Sequence, residues 1–299
     1  MPSFASVSII YNPNSTGNAQ AHAKELQAQL ARSLPRLPVT LLPTAHAGHA
    51  EELAYNTAKN AAKGTSLLIV SASGDGGYNE VINGALRAQQ QGARPICAVL
   101  PSGNANDHAR TTQNRPLAES IATDAVTTLD VLEVTLTKPG GKPAVRYAHS
   151  YVGLGLTPSV AVELNKYSLN SLKETWIVIK AFWNLRPVVV QTGGVVRQLD
   201  SLICSTIPEM AKVLKLSKDA KPDDGLFELT TLPHNKKLQL FYKLGLGMFR
   251  SLGAASRQHD YGCTVLKAAP IQLDGEIMKL PANTQLTVSL QPGLLKTIV

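Results

Sequence analysis

Ser66-Leu67-Leu68-Ile69-Val70-Ser71-Ala72-Ser73-Gly74-Asp75-Gly76-Gly77-Tyr78-Asn79-Glu80-Val81-Ile82-Asn83-Gly84 is the stretch that decides the fold. Ser66 to Ala72 is an apolar run of the kind found in strands buried on both faces. It stops at Gly74-Asp75-Gly76-Gly77, and a helix is expected from Asn79 to Gln90. The same strand, loop and helix order recurs on either side. Val7 to Tyr11 reads as a strand, Asn12-Pro13-Asn14-Ser15-Thr16-Gly17 as a turn, and Ala19 to Leu34 as a helix with Ala23, Leu26, Leu30 and Leu34 at helical spacing. Val39 to Leu42 is a second strand, followed by Thr44 and a helix from His49 to Lys63. Ile96 to Leu100 is a fourth, ending at Pro101-Ser102-Gly103-Asn104. Four such alternations predict an α/β fold with a parallel sheet in three layers.

The pattern changes near Asp124. Val131 to Leu136, Arg146 to Tyr151, Val188 to Gln191, Gly194 to Leu199, Ser201 to Ser205 and Leu226 to Thr231 read as short strands separated by turns. They predict a second, β-rich domain, antiparallel and sandwich-like. Two apolar helical stretches interrupt it. Glu174 to Leu185 carries Trp176, Phe182 and Trp183, and Leu238 to Leu252 carries Phe241, Tyr242 and Phe249. The expected division is 1–127 for the α/β domain and 128–290 for the β-rich one.

In an open parallel sheet the loops that follow the strands share one edge, where ligands bind. The loops at Asn12–Gly17, Gly74–Gly77 and Pro101–Asn106 should therefore converge. Glycine lets the backbone approach a phosphate, and the following helix offers N–H groups and a positive dipole end. Neither a Walker loop nor the spaced glycines of a dinucleotide fingerprint is present. Asp75, held between glycines, is a candidate metal or catalytic carboxylate, with helix capping as the alternative. Glu80 and Asn83 share a helix face.

The chain has 299 residues, 44% hydrophobic and 17% charged, with 29 Lys and Arg against 21 Asp and Glu. A charge of +8 favours an anionic partner: a nucleotide, nucleic acid or an acidic membrane surface. With 5% aromatic residues and no basic run interleaved with them, nucleic acid is the weaker candidate. Cys97, Cys204 and Cys263 are far apart and show neither metal spacing nor a disulfide framework. No run of about 18 apolar residues and no signal peptide is visible, so a cytoplasmic protein is expected.

Ser73 to Gly84 resembles the Gly-Gly-Asp-Gly-Thr signature of the diacylglycerol kinase catalytic domain and its Glu-Val-x-Asn-Gly continuation. Leu100-Pro101-Ser102-Gly103-Asn104-Ala105-Asn106-Asp107 resembles that family's Leu-Pro-x-Gly-Thr-x-Asn-Asp, with Ala109-Arg110 also in pattern. Asn12-Pro13 and Thr44 ahead of Gly48-His49-Ala50 match its first two loops, and Asp223-Asp224-Gly225-Leu226 and Asp274-Gly275-Glu276 match its late Asp-Gly pairs. Gly77 and Asn104 depart from the pattern by replacing two threonines whose hydroxyls would face phosphate or adenine, and Ser73 replaces the first glycine, as in sphingosine kinases.

The resemblance implies a kinase that moves the γ-phosphate of ATP, with Mg²⁺, onto a lipid hydroxyl, diacylglycerol or a related lipid alcohol. It implies an ATP site built from Asn12, Thr44, Ser73, Gly74, Asp75, Gly76, Gly77, Tyr78, Asn79, Gly103 and Asn104. Glu276 becomes the general base, with Asp75 as the rival. From the residues alone, Asp274-Gly275 is a hairpin turn. A structural Mg²⁺ is implied at Asp224 with the carbonyls of Lys221 and Leu226; from the residues alone this is a Pro222–Gly225 turn. Residues 291–299 are expected to return to the first domain, and the protein to bind anionic membranes peripherally. A kinase of a soluble acceptor, as in NAD kinases, and a non-catalytic lipid- or nucleotide-binding protein stay open. His108 reads as a packing residue.

Overall fold

The structure, a computed structural model, describes residues 2–15, 17–62, 64–159, 186–212, 214–235 and 255–299. The apolar stretches at 174–185 and 238–252, with their tryptophans, phenylalanines and tyrosine, lie outside the described residues, as does Thr16. The chain divides into two compact units. One is Met1–Asp130 with Pro292–Val299, and the other is Val131–Gln291.

The first unit alternates β1 (Val7–Tyr11), α1 (Ala19–Ser33), β2 (Val39–Pro43), α2 (His49–Lys59), β3 (Ser66–Ser73), α3 (Asp75–Gln89) and β4 (Arg94–Pro101), then α4 (Asp107–Thr112) and α5 (Leu117–Ala122). Its sheet runs β2–β1–β3–β4, every neighbouring pair parallel. Leu68, Ile69 and Val70 are all fully buried, so β3 is covered on both faces. Removing each such side chain from water is worth about 1.5–3 kcal/mol. Val7, Ile9, Leu68, Val70 and Ile96 share a core with Leu26 and Leu30 of α1 and Leu117 and Ile121 of α5. The helices α2 and α3 pack together on the opposite face, and a Cβ on Gly84 would overlap the Glu51 carbonyl between them.

The second unit is built from antiparallel strands. After β5 (Val126–Thr137), whose first residues belong to the first unit, come β6 (Pro143–Ala148), β7 (Tyr151–Gly155), β8 (Val188–Thr192), β9 (Val195–Ser205), β10 (Glu209–Met210) and β11 (Leu214–Lys215). Then follow β12 (Phe227–Pro233), β13 (Ser256–Gln258), β14 (Asp260–Val265), β15 (Ala269–Leu273), β16 (Glu276–Leu280) and β17 (Thr284–Ile298). The order β16–β15–β7–β9–β8–β14–β17 forms the main path, with β12 also on β9 and β13 on β12. Val134, Val152, Leu154, Leu202, Phe227, Val265, Ile271 and Val288 share one core. At its end β17 runs parallel to β4, pairing Thr297 with Cys97 inside the first unit. There Gly293, at φ 59°, donates its N–H to Asp130 Oδ1 (2.8 Å).

Three local expectations change. The helix expected from Asn79 begins at Asp75, so Gly76 and Gly77 form its first turn. Val195–Ser205 is one strand where two were expected, with Asp200 buried within it, accepting from the Asn235 N–H (3.1 Å) and pairing with His234 Nδ1 (2.7 Å). The strand expected over Arg146 to Tyr151 breaks at His149-Ser150, whose amides are diverted to a side chain 124 or more residues downstream.

Candidate active site

Because the first unit's strands are parallel, their carboxyl ends lie at one edge. The register sets Tyr11 beside Ala72 and Pro43, and Ser73 beside Pro101. Asn12 opens the first loop, where its Oδ1 accepts the Asn14 N–H (2.9 Å). Thr44 donates its N–H to Tyr11 O (2.9 Å), which holds it at the same edge. Gly17 lies so close to the third loop that a Cβ would overlap the Ser102 carbonyl oxygen. Gly74 and Gly103 meet backbone to backbone, and a Cβ on Gly103 would overlap the Gly74 Cα. Ser102 N–H donates to Ser73 O (2.9 Å), and its hydroxyl lies 2.9 Å from His22 Nδ1. The loops after β1, β3 and β4 are therefore in direct contact.

Asp75 is buried and its carboxylate is turned away from its own helix. Oδ2 accepts the Asp107 N–H (3.0 Å) and Oδ1 the His108 N–H (3.1 Å), so it holds the start of α4 against the start of α3. Asn106, in the left-handed region at φ 52°, accepts the Gly103 N–H (2.9 Å) and donates to Gly103 O (2.9 Å). Asn104 lies exposed in this loop. The amides of Asp75, Gly76 and Gly77 open a helix of 15 residues, ahead of its first intrahelical donor, the Tyr78 N–H on Gly74 O (3.1 Å). Such a terminus suits an anion. The side chains of Tyr78 and Asn79 point inward instead. Tyr78 Oη lies 3.3 Å from Thr297 Oγ1 with its ring against His108, and Asn79 is bonded to Asn83. Glu80 accepts the N–H groups of Gly48 (3.0 Å) and Ala50 (3.2 Å), capping α2.

The departures at positions 73 and 77 are linked. A Cβ on Gly77 would stand 2.7 Å from both the Cβ and the Oγ of Ser73. Ser73 Oγ lies 2.7 Å from Ser71 Oγ and donates to Gly74 O (3.0 Å). A side chain at 77 would have to displace that of Ser73, and the loop carries its one hydroxyl at 73.

In the second unit, Glu276 opens β16 after a two-residue turn. Asp274 (φ 50°) and Gly275 (φ 114°) both take positive φ, as a tight hairpin requires. The Asp274 carboxylate is completely buried and accepts three amides: His149 (2.6 Å), Ser150 (2.9 Å) and Tyr151 (2.8 Å). Asp274 N–H in turn donates to Tyr151 O (3.1 Å). The His149 ring, also fully buried, spans from Asp274 Oδ2 (3.4 Å, Nε2) to Ser150 Oγ (2.7 Å, Nδ1). Half-buried Glu276 is thereby carried on a turn that is pinned two residues away. Neither His149 nor Ser150 has a periodicity or motif that would single it out.

Asp224 also sits in a turn. Its Oδ1 accepts the Leu226 N–H (3.2 Å), and its Oδ2 pairs with Arg257 Nη2. Arg257 Nε reaches Glu228 Oε1 (3.3 Å). Burial raises the Glu228 carboxyl above its usual range, opposed by Arg257. A divalent cation held by Asp224 with the carbonyls of Lys221 and Leu226 would share that carboxylate with a guanidinium, and the arrangement does not fit one.

A parallel α/β unit with three touching glycine loops and a helix N-terminus among them is suited to holding a phosphate group. The diacylglycerol kinase catalytic domain model matches residues 6–137. The diacylglycerol kinase of Staphylococcus aureus (strain JH9) is 30% identical over 302 residues, covering 92% of this chain and 87% of that protein. That of Staphylococcus haemolyticus (strain JCSC1435) is 29% identical over 235 residues, covering 74% of this chain and 65% of its own length. The chain belongs to the diacylglycerol kinase family and is a kinase. Its fold matches a crystal structure of a diacylglycerol kinase from Bacillus anthracis str. Sterne, with a TM-score of 0.71 at 18% identity over 100% of this chain and 98% of that one. Yeast NADH kinase shares the fold at a TM-score of 0.51 and 12% identity, over 98% and 82% of the two chains. Among the described residues no helix is long and apolar enough to cross a membrane.

Proposed function

We propose that this chain transfers the γ-phosphate of ATP to the hydroxyl of a membrane lipid, diacylglycerol or a related lipid alcohol. The observation that carries the reading is the contact of the three loops through Gly17, Gly74 and Gly103, which gathers main-chain amides around the start of α3. Those amides bind the phosphates. Asp75 acts first as a positioning residue, keeping the third loop beside the second. Mg²⁺ brought with the nucleotide would neutralise the charge of the transferring phosphoryl group. The acceptor oxygen attacks the γ-phosphorus, the bond to the β-phosphate oxygen breaks, ADP leaves, and the hydroxyl proton passes to Glu276. The net charge of +8 favours peripheral, reversible association with anionic bilayers, where such an acceptor resides.

The test is ADP production against a panel of lipids and soluble acceptors, together with the melting temperature in MgATP. Lipid-dependent ADP release and a MgATP-dependent thermal shift are expected, with the shift reduced in Asp75→Asn. Turnover on NAD alone would replace the lipid by a soluble acceptor. Loss of both signals in the parent would make the chain non-catalytic. Vesicle sedimentation checks the membrane reading. Binding should weaken as salt rises, since exposed charges are screened beyond about 10 Å at 0.1 M.

A further inference from the structure

The turn at 221–226 is the one place where the family resemblance calls for a structural metal and the side chains supply something else. Glu228 and Arg257 are direct partners in the β12–β13 register, flanked by Phe227 with Gln258 and Leu229 with Ser256. The cross-strand position aims the guanidinium along β12 toward the turn that precedes it. There Nη2 meets Asp224 Oδ2, while Nε stays on Glu228, whose side chain is only 3% exposed. One guanidinium thus bridges two carboxylates, one in the turn and one in the strand that follows. Asp224 completes the turn itself, accepting the Leu226 N–H across Gly225, which takes φ 76°.

A divalent ion at this turn would perform two tasks: to offset the carboxylate charge and to tie the turn to the sheet. The guanidinium performs both. It is permanently charged, carries its donors in a planar fork suited to carboxylates, and is anchored in a strand. A cation approaching Asp224 would meet that positive charge at contact distance.

We propose that Arg257 is the built-in cation of this turn, so that the second unit folds without a divalent ion at Asp224. The proposal does not depend on the kinase reading, and it concerns a site separate from any Mg²⁺ that arrives with ATP.

Metal analysis of the purified full chain, without nucleotide, comes first. No Mg²⁺ or Ca²⁺ should be retained in stoichiometric amount after dialysis. The melting temperature should be the same in EDTA and in millimolar Mg²⁺. Arg257→Gln leaves Asp224 and Glu228 without their cation. Its melting temperature should be lower in EDTA, and Mg²⁺ should recover part of the loss. Arg257→Lys keeps the charge and should remain insensitive to metal. One tightly held ion per parent chain, or a parent melting temperature that falls in EDTA and returns with Mg²⁺, overturns the proposal. Both parent measurements stand even if neither variant folds.

Discussion

In the first unit the loops after β1, β3 and β4 are brought together by missing side chains. Gly17, Gly74 and Gly103 let main chain lie against main chain, and what they present is a set of amides. In the second unit the turns are held by charged side chains reaching into the backbone. Asp274 takes the amides of residues 149–151, and Asp224 takes that of Leu226 and a guanidinium. The first unit uses carboxylates as well, away from the loop contacts: Asp75 clamps α4 as Asp274 clamps the start of β7, Glu80 caps α2, and Asp130 holds Gly293. The difference separates two kinds of vulnerability. A site made of amides tolerates changes of chemistry and fails when a methyl group is added. A site made of carboxylates tolerates volume and fails when a charge is removed.

The largest expected effect tests whether Glu276 acts on the transfer step alone. Glu276→Gln should lower turnover by about 10²-fold or more. It should leave the MgATP-induced thermal shift near the parental value, because the proposed phosphate site is built from the first unit's loops. Parental turnover on the true acceptor would pass the role of base to Asp75. Asp274→Asn, which removes the charge from the pinned turn, should lower kcat by about 10- to 100-fold through misplacement of Glu276. The KM for ATP should change little. An equal rise in that KM would show that the two units do not divide the work in this way.

Adding one methyl group attacks the other unit. Gly103→Ala must push the third loop off Gly74, and about tenfold in ATP affinity should be lost for each 1.4 kcal/mol of contact displaced. Isothermal titration with MgATP measures it, and unchanged affinity would mean that the loops are not the phosphate site. Finer still is the pair at 73 and 77. Gly77→Thr alone should weaken ATP binding, and Ser73→Gly with Gly77→Thr should recover it, as two residues in contact are not additive. Additive losses in that cycle would separate the two positions.

The smallest effect is with pH. Burial pushes the Cys97 thiol up to about 12 and that of Cys263 to about 11. Since these folded values lie above the unfolded one, the stabilisation is complete below about pH 8.5 and declines as pH rises toward them. Melting curves between neutral and alkaline pH should show this decline. Cys97→Ala should blunt the part that belongs to the first unit.

The sheet of the first unit was legible because Leu67 to Val70 is apolar throughout, and only a strand covered on both faces needs that. The positions of the three loops followed from parallel connections alone. The start of α3 was misread because glycines signal a loop, whereas Gly76 and Gly77 here make the first turn of a helix. In the second unit the break at His149-Ser150 was not legible at all. Its cause is Asp274, remote in sequence, and no local pattern reports a distant carboxylate. Arg257 and the Ser73–Gly77 contact were hidden for the same reason. Both exist only once strands or turns are side by side.

The segment Pro292–Val299 has a further consequence in the making of the protein. It forms the strand beside β4 and places Thr297 against Tyr78, yet the whole second unit is translated before it. A nascent chain halted short of residue 292 would hold every glycine loop but lack one edge of the sheet that supports them. Domains that fold as they emerge usually do so from the amino end. Here the amino-terminal unit is completed only by residues 292–299, which follow the whole inserted unit in the chain.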